Sequence, residues 1–73
     1  MQLEAGRRIV VRVNGERTDT GAASLGELVA QLGFSEGQVA TALNGDFVPR
    51  QSRAAIQLAA DDRIEIVAPR QGG

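Results

Sequence analysis

Side-chain chemistry is scarce in this sequence. It contains no cysteine and no histidine. That removes thiol nucleophiles, the usual zinc ligands and an acid–base pair working near neutral pH. Ser24, Ser35 and Ser52 therefore have no histidine to activate them. Asp61-Asp62 is the only adjacent carboxylate pair; placed just before a strand, it reads as a turn rather than a metal site. No Gly-rich loop leads from a strand into a helix as phosphate cradles do. Ser24-Leu25-Gly26 could hold an anion at a helix start, but capping accounts for it.

What remains is the α-carboxylate of Gly73. The sequence closes with Ala68-Pro69-Arg70-Gln71-Gly72-Gly73. Two final glycines bring no apolar burial and have the most backbone entropy to lose on ordering. Fraying is the ordinary fate of such an end. The functional reading is that Gly72 and Gly73 form a thread thin enough to enter a narrow site on another protein. A terminal carboxylate, with an ordinary pKa of about 3.3–3.7, is ionised at neutral pH. It can attack the α-phosphate of ATP to give an acyl-adenylate, which a sulfur nucleophile converts to a thiocarboxylate. The machinery for this would lie in a partner, and ATP would be used there; no cofactor or metal is expected on this chain. Residues 69–73 would reach ~17 Å when extended, with Pro69 stiffening the start.

Composition limits the other classes. Seventy-three residues make one domain with a small core and little room for a deep catalytic cleft. The net charge is −1 and the aromatic residues are Phe34 and Phe47 alone, which argues against a nucleic-acid-binding module. No apolar run approaches the ~20 residues of a membrane span, and the Met1-Gln2-Leu3-Glu4 start lacks a signal-peptide pattern. With no disulfides either, a cytoplasmic location is expected. All eight cationic residues are arginine. Lineage bias explains this, although it also leaves an activated C-terminus no lysine amine on its own chain to acylate.

The elements that must position the tail follow from local signals. Residues 1–7 read as a loose leader. Ile9 to Val13 is β-branched and reads as a strand, with Ile9, Val11 and Val13 on one face. Asn14-Gly15 supplies a tight hairpin turn, and Glu16 to Thr20 is a polar return strand at an edge. Ser24 and Glu27 have capping-box spacing. Leu25, Leu28, Val29 and Leu32 form an apolar stripe, and Gly33 ends a helix over roughly Leu25 to Leu32. Phe34 is an anchor into the core. Val39 to Leu43 is a third strand, Asn44-Gly45 a second hairpin turn, and Asp46 to Val48 a brief return ended by Pro49. Residues 50–60 are irregular, with Ile56 and Leu58 plugging the core from a short helical turn. Arg63 to Val67 is the last strand.

The first and last strands are the most β-branched, and the long connection between them permits parallel pairing in the centre of one sheet. The predicted fold class is α+β: a β-grasp (ubiquitin-like) two-layer fold, with a mixed sheet of four to five strands packed on one short helix. The domain spans 1–68, and 69–73 is a flexible Gly-Gly tail. The sheet face away from the helix should carry Val10, Arg12, Glu65 and Val67. Val10 and Val67 together would make a small apolar docking patch rimmed by charge, with Arg70 a further docking candidate; good strand propensity explains the valines equally well.

The residues also resemble a family. VNGE at 13–16, SLGELVAQLGF at 24–34, VATALNGDFVPR at 39–50 and DDRIEIV at 61–67 leading to the final GG are similar to ThiS-type sulfur carriers, small ubiquitin-like proteins of thiamin biosynthesis. The resemblance covers residues 9–73. It implies that Gly73 is adenylated by a ubiquitin-activating-like (ThiF-type) adenylyltransferase. A sulfur donor protein then supplies the sulfur, and the thiocarboxylate delivers it to thiazole synthase (ThiG-type). It also implies that the chain is a protein co-substrate rather than an enzyme. Asp61-Asp62 stands where many relatives have a Gly-Asp turn. The alternatives are a molybdopterin-synthase small-subunit-like carrier and a non-catalytic β-grasp binding module.

Overall fold

The computed structural model describes residues 8–68. The leader over 1–7 and the tail over 69–73, including Arg70, Gly72 and Gly73, lie outside the described residues. Within them the chain forms β1 (Ile9–Val13), β2 (Glu16–Thr20), α1 (Leu25–Gln31), a 3-10 turn at Glu36–Gln38, β3 (Ala40–Leu43), β4 (Asp46–Val48), a second 3-10 turn at Arg50–Ala55, and β5 (Arg63–Val67). The five strands make one sheet in the order β2-β1-β5-β3-β4. β1 and β5 pair in parallel, and the other neighbours pair antiparallel. This is the mixed β-grasp sheet, with β5 in its centre.

Both hairpins close through left-handed residues. Asn14 and Asn44 each have φ 52°, and the glycines after them have φ 87° and 91°. Asn tolerates this region and glycine enters it freely, so both two-residue turns follow the right-handed strand twist. Strand alternation then sorts the faces. Val11, Ile64 and Ile66 point to the core, where they meet Leu25, Leu28 and Val29 from α1, with Ala22, Val39 and Val48 completing it.

α1 is a seven-residue helix, too short to persist without packing. Its start is capped: the Glu27 N–H donates to Ser24 Oγ at 3.1 Å. The Glu27 carboxylate accepts from the Ala23 N–H at 2.9 Å, one residue before the position a capping box predicts. The chain around Ser24 is held extended by a bridge to Gln57, in which Leu25 donates to the Ile56 carbonyl and Leu58 to the Ala23 carbonyl. Ile56 and Leu58 pack against the core, but from this extended segment rather than from the helical turn before it. The helix ends one residue earlier than its stripe suggested. Gly33 at φ 88° donates to the Ala30 carbonyl, and Phe34 to the Val29 carbonyl, which is a Schellman motif. That motif turns Phe34 back onto the core and leaves Leu32 40% exposed, outside the stripe.

β3 starts at Ala40 rather than Val39, since Val39 lies beside the guanidinium of Arg53. Arg53 is 3% exposed. It donates to Thr41 Oγ1 at 2.9 Å and to the carbonyls of Glu36 at 2.9 Å and Val39 at 2.7 Å. Three neutral acceptors thus compensate a buried cation. Arg53 ties the 3-10 turns to β3.

Candidate functional site

The candidate site is the exit of β5, from which the tail departs. Interior placement gives β5 hydrogen-bonding neighbours on both sides. Each neighbour then turns away, and in both cases an asparagine side chain takes over the missing rungs. On the β1 side, the main chain supplies Arg12 N–H to the Asp62 carbonyl at 2.9 Å and Asn14 N–H to the Ile64 carbonyl at 2.8 Å. At Asn14 the backbone enters its hairpin. The side-chain amide continues the ladder: Oδ1 accepts from the Ile66 N–H at 2.9 Å, and Nδ2 donates to the Ile66 carbonyl at 3.1 Å. An amide carries both a donor and an acceptor, so it can stand in for a strand residue; a carboxylate cannot.

On the β3 side, Asn44 donates its backbone N–H to the Arg63 carbonyl at 2.7 Å, and its Oδ1 accepts from the Arg63 N–H at 2.9 Å. Its Nδ2 donates to the Asp62 carboxylate at 3.1 Å, and the same carboxylate accepts from the Ala59 N–H at 2.8 Å. Asn44 therefore grips the entry of β5, and Asn14 grips its exit. Asp61 sits at φ 71° in the loop before the entry, donating its N–H to the Val10 carbonyl at 2.8 Å.

The structure corrects the proposed valine patch. Val10 and Val67 share the open face of the sheet, with Val67 58% exposed and Val10 half-buried. However, the parallel register pairs Arg12 with Arg63, which places Val10 level with Asp61. Val67 is six residues further along, about 20 Å at strand rise. The two valines do not form one patch.

Val67 instead belongs to a different cluster. Its partner across β3 is Ala40, and Ala42 is partnered on its other side by Phe47. Phe47 is 69% exposed. Val67 and Phe47 thus lie diagonally across two alanines, with Glu65 opposite Ala42, giving a small, shallow apolar cluster beside the exit of β5. The short β4 hid Phe47 from sequence reasoning. The available signal was the two-residue turn at Asn44-Gly45, which fixes the strand register. Core-facing Val48 then sends Phe47 outward.

The helix side of the molecule carries a cleft of about 370 Å³ lined by Val13, Asn14, Glu16, Thr18, Leu32 and Phe34. Glu16 is its sole ionisable side chain, so it offers no acid–base pair. Among the described residues, no group of three potential metal ligands occurs, and no helix is long and apolar enough to cross a membrane.

The model of the ThiS family matches residues 7–73. Among solved structures, a crystal structure of a thiamine biosynthesis protein (ThiS) from Geobacter metallireducens is 28% identical. The match has a TM-score of 0.73 and covers 89% of this chain and all of that one. A solution NMR structure of a thiamine biosynthesis protein from the same organism is 25% identical, also with a TM-score of 0.73; it covers 89% of this chain and 88% of that one. No curated protein matches the sequence.

Proposed function

The chain belongs to the ThiS family, and on that premise we propose that it is a sulfur carrier of thiamin biosynthesis whose reactive group is the Gly73 carboxylate. In this reading a carboxylate oxygen attacks the α-phosphorus of ATP in a ubiquitin-activating-like adenylyltransferase, and pyrophosphate leaves. Sulfide from a sulfur donor protein then attacks the acyl carbon, AMP leaves, and the chain ends in a thiocarboxylate. Thiazole synthase takes the sulfur from it. The chain is a co-substrate, with ATP bound by the partner.

The observation that carries this reading is the position of β5. The strand that continues into 69–73 lies in the centre of the sheet and is gripped at both ends by asparagine side chains. A Gly-Gly thread starting from it has a fixed origin and a slim tip. Pro69 and Arg70 are its first residues in sequence. In this reading docking uses Val67 with Ala40, Ala42 and Phe47 beside the exit of β5, with Arg70 as a further contact, whereas Val10 lies too far along the sheet to join them.

Intact-mass measurement after incubation with the adenylyltransferase, ATP and a sulfur source tests the proposal. The expected result is the mass gain for exchange of one oxygen by sulfur. That gain should vanish when Gly73 is deleted or one alanine is appended, with the far-UV circular dichroism unchanged. A gain that survives deletion of Gly73 places the reactive group elsewhere.

A further inference from the structure

The open face of the sheet carries a second feature, distinct from the apolar cluster. Arg12 faces Arg17 across the β1–β2 pair and Arg63 across the β1–β5 pair. All three are exposed. The register therefore lays three guanidinium groups in one row over three adjacent strands, about 10 Å from first to last at ordinary strand spacing.

This row works against the isolated fold, because like charges directly opposite on neighbouring strands are destabilising. The other described arginines are all engaged. Arg8 pairs with Asp19 at 3.0 Å and Arg50 with Glu36 at 4.0 Å, while Arg53 spends its donors on buried acceptors. Arg12, Arg17 and Arg63 form no ion pair with another described residue. The nearest acidic position on one side, Asp19 beside Val10, is already taken by Arg8. Glu65 is the one unengaged strand carboxylate on this face. Glu65, two residues beyond Arg63, can offset one of the three cations; the charge left over, in a row that costs folding free energy, is explained by a charge supplied from outside.

We propose that Arg17, Arg12 and Arg63 are the electrostatic half of the face that docks the activating enzyme, and that the enzyme meets them with a strip of carboxylates. The proposal rests on the carrier reading above. Three groups spread in a row over three strands span more than one small anion can reach, so they fit an extended acidic surface. Planar guanidiniums bind carboxylates through paired hydrogen bonds. Nucleic acid fits poorly: the chain's net charge is −1, and the exposed Phe47 is on β4, with β3 between it and the row. The row lies four residues before Val67, about 13 Å back along β5, so acidic strip and apolar contact are separate footprints on one partner. The adenylation step has most need of such help. It brings an anionic carboxylate against an anionic polyphosphate, and attraction between other groups of the two proteins offsets that repulsion.

The test is steady-state adenylation of the full chain by the adenylyltransferase of its own source organism. Arg12→Ser/Arg17→Ser/Arg63→Ser is compared with wild type, with Arg50→Ser, and with the triple Arg→Lys variant. The triple serine variant should raise KM for the chain about tenfold or more with kcat within about twofold, and lose most of the salt dependence of kcat/KM. Arg50→Ser should match wild type, and the lysine triple should recover part of the loss. The triple serine variant should melt no lower than wild type, because it relieves repulsion. An unchanged KM and salt dependence overturns the proposal and leaves the carrier reading intact. Row-dependent retention on RNA with the enzyme's KM unaltered also overturns it. Failure of wild type to be adenylated at all overturns the carrier reading and this proposal together.

Discussion

The two Asn-Gly turns have nearly the same φ angles but grip the last strand differently. Asn44 holds the entry of β5 with one side-chain rung to Arg63 and shares its remaining donor with the Asp62 carboxylate, at the exposed surface. Asn14 holds the exit with two rungs, both to the backbone of Ile66 and both partly buried. The entry grip has help, since Asp62 is itself tied to Ala59. At the exit, Asn14 carries the β1 side alone. The same dipeptide is thus a replaceable turn in one hairpin and a structural part of the tail's anchorage in the other.

Substitutions can break or sharpen that contrast. Asn14→Asp should have the largest effect. It keeps a residue that tolerates positive φ, yet it removes the donor and sets a carboxylate against the Ile66 carbonyl. A loss of about 2–3 kcal/mol is expected; thermal denaturation should show a fall in Tm of about 10 °C or more for a domain this size. Asn14→Gly keeps the turn and deletes only the rungs. It should cost about 1–2 kcal/mol, and hydrogen exchange should speed up at the Ile66 amide while the Ile64 amide stays protected. Asn44→Gly should cost less, about 0.5–1 kcal/mol, read from urea unfolding at constant slope. If Asn44→Gly proves as damaging as Asn14→Gly, the contrast between the grips is wrong.

Asp61→Gly should have the smallest effect and the opposite sign. Asp61 occupies a left-handed conformation that glycine adopts without a steric penalty, and its carboxylate makes no hydrogen bond to another described residue. A gain of about 0.5 kcal/mol is expected, because the greater freedom of glycine in the unfolded chain offsets part of the relief. In double variants this gain should combine non-additively with Asn44→Gly, which acts on the same loop. It should add simply to Asn14→Gly, at the other end of the strand.

The fold was legible wherever a local signal agreed with the global one. β-branched runs marked β1 and β5, asparagine-glycine pairs fixed two registers, and Ser24, Glu27 and Gly33 bounded the helix. The α+β β-grasp arrangement with parallel central strands followed from those. What escaped the sequence depended on contacts between distant residues. Asn14 reads as a turn former; that its amide would complete a ladder fifty-two residues away follows only from where β1 ends beside β5. Arg53 reads as one more surface arginine, and its burial arises from three acceptors converging from separate elements. Val10 and Val67 share a face by alternation, but a period of two does not report distance along a strand; the register does. For the tail, the sequence supplied the chemical argument, and the structure contributes the base from which it starts.

The central, two-sided pairing of β5 also has a mechanical consequence. Tension applied through the tail acts along the strand axis and loads the rungs to β1 and β3 together in shear. An edge strand such as β4, pulled the same way, would share the load over the rungs to one neighbour only. A partner that holds or draws on the tail can therefore transmit force to the folded body without unzipping it, and on the β1 side the first rungs to bear that load are the two made by Asn14.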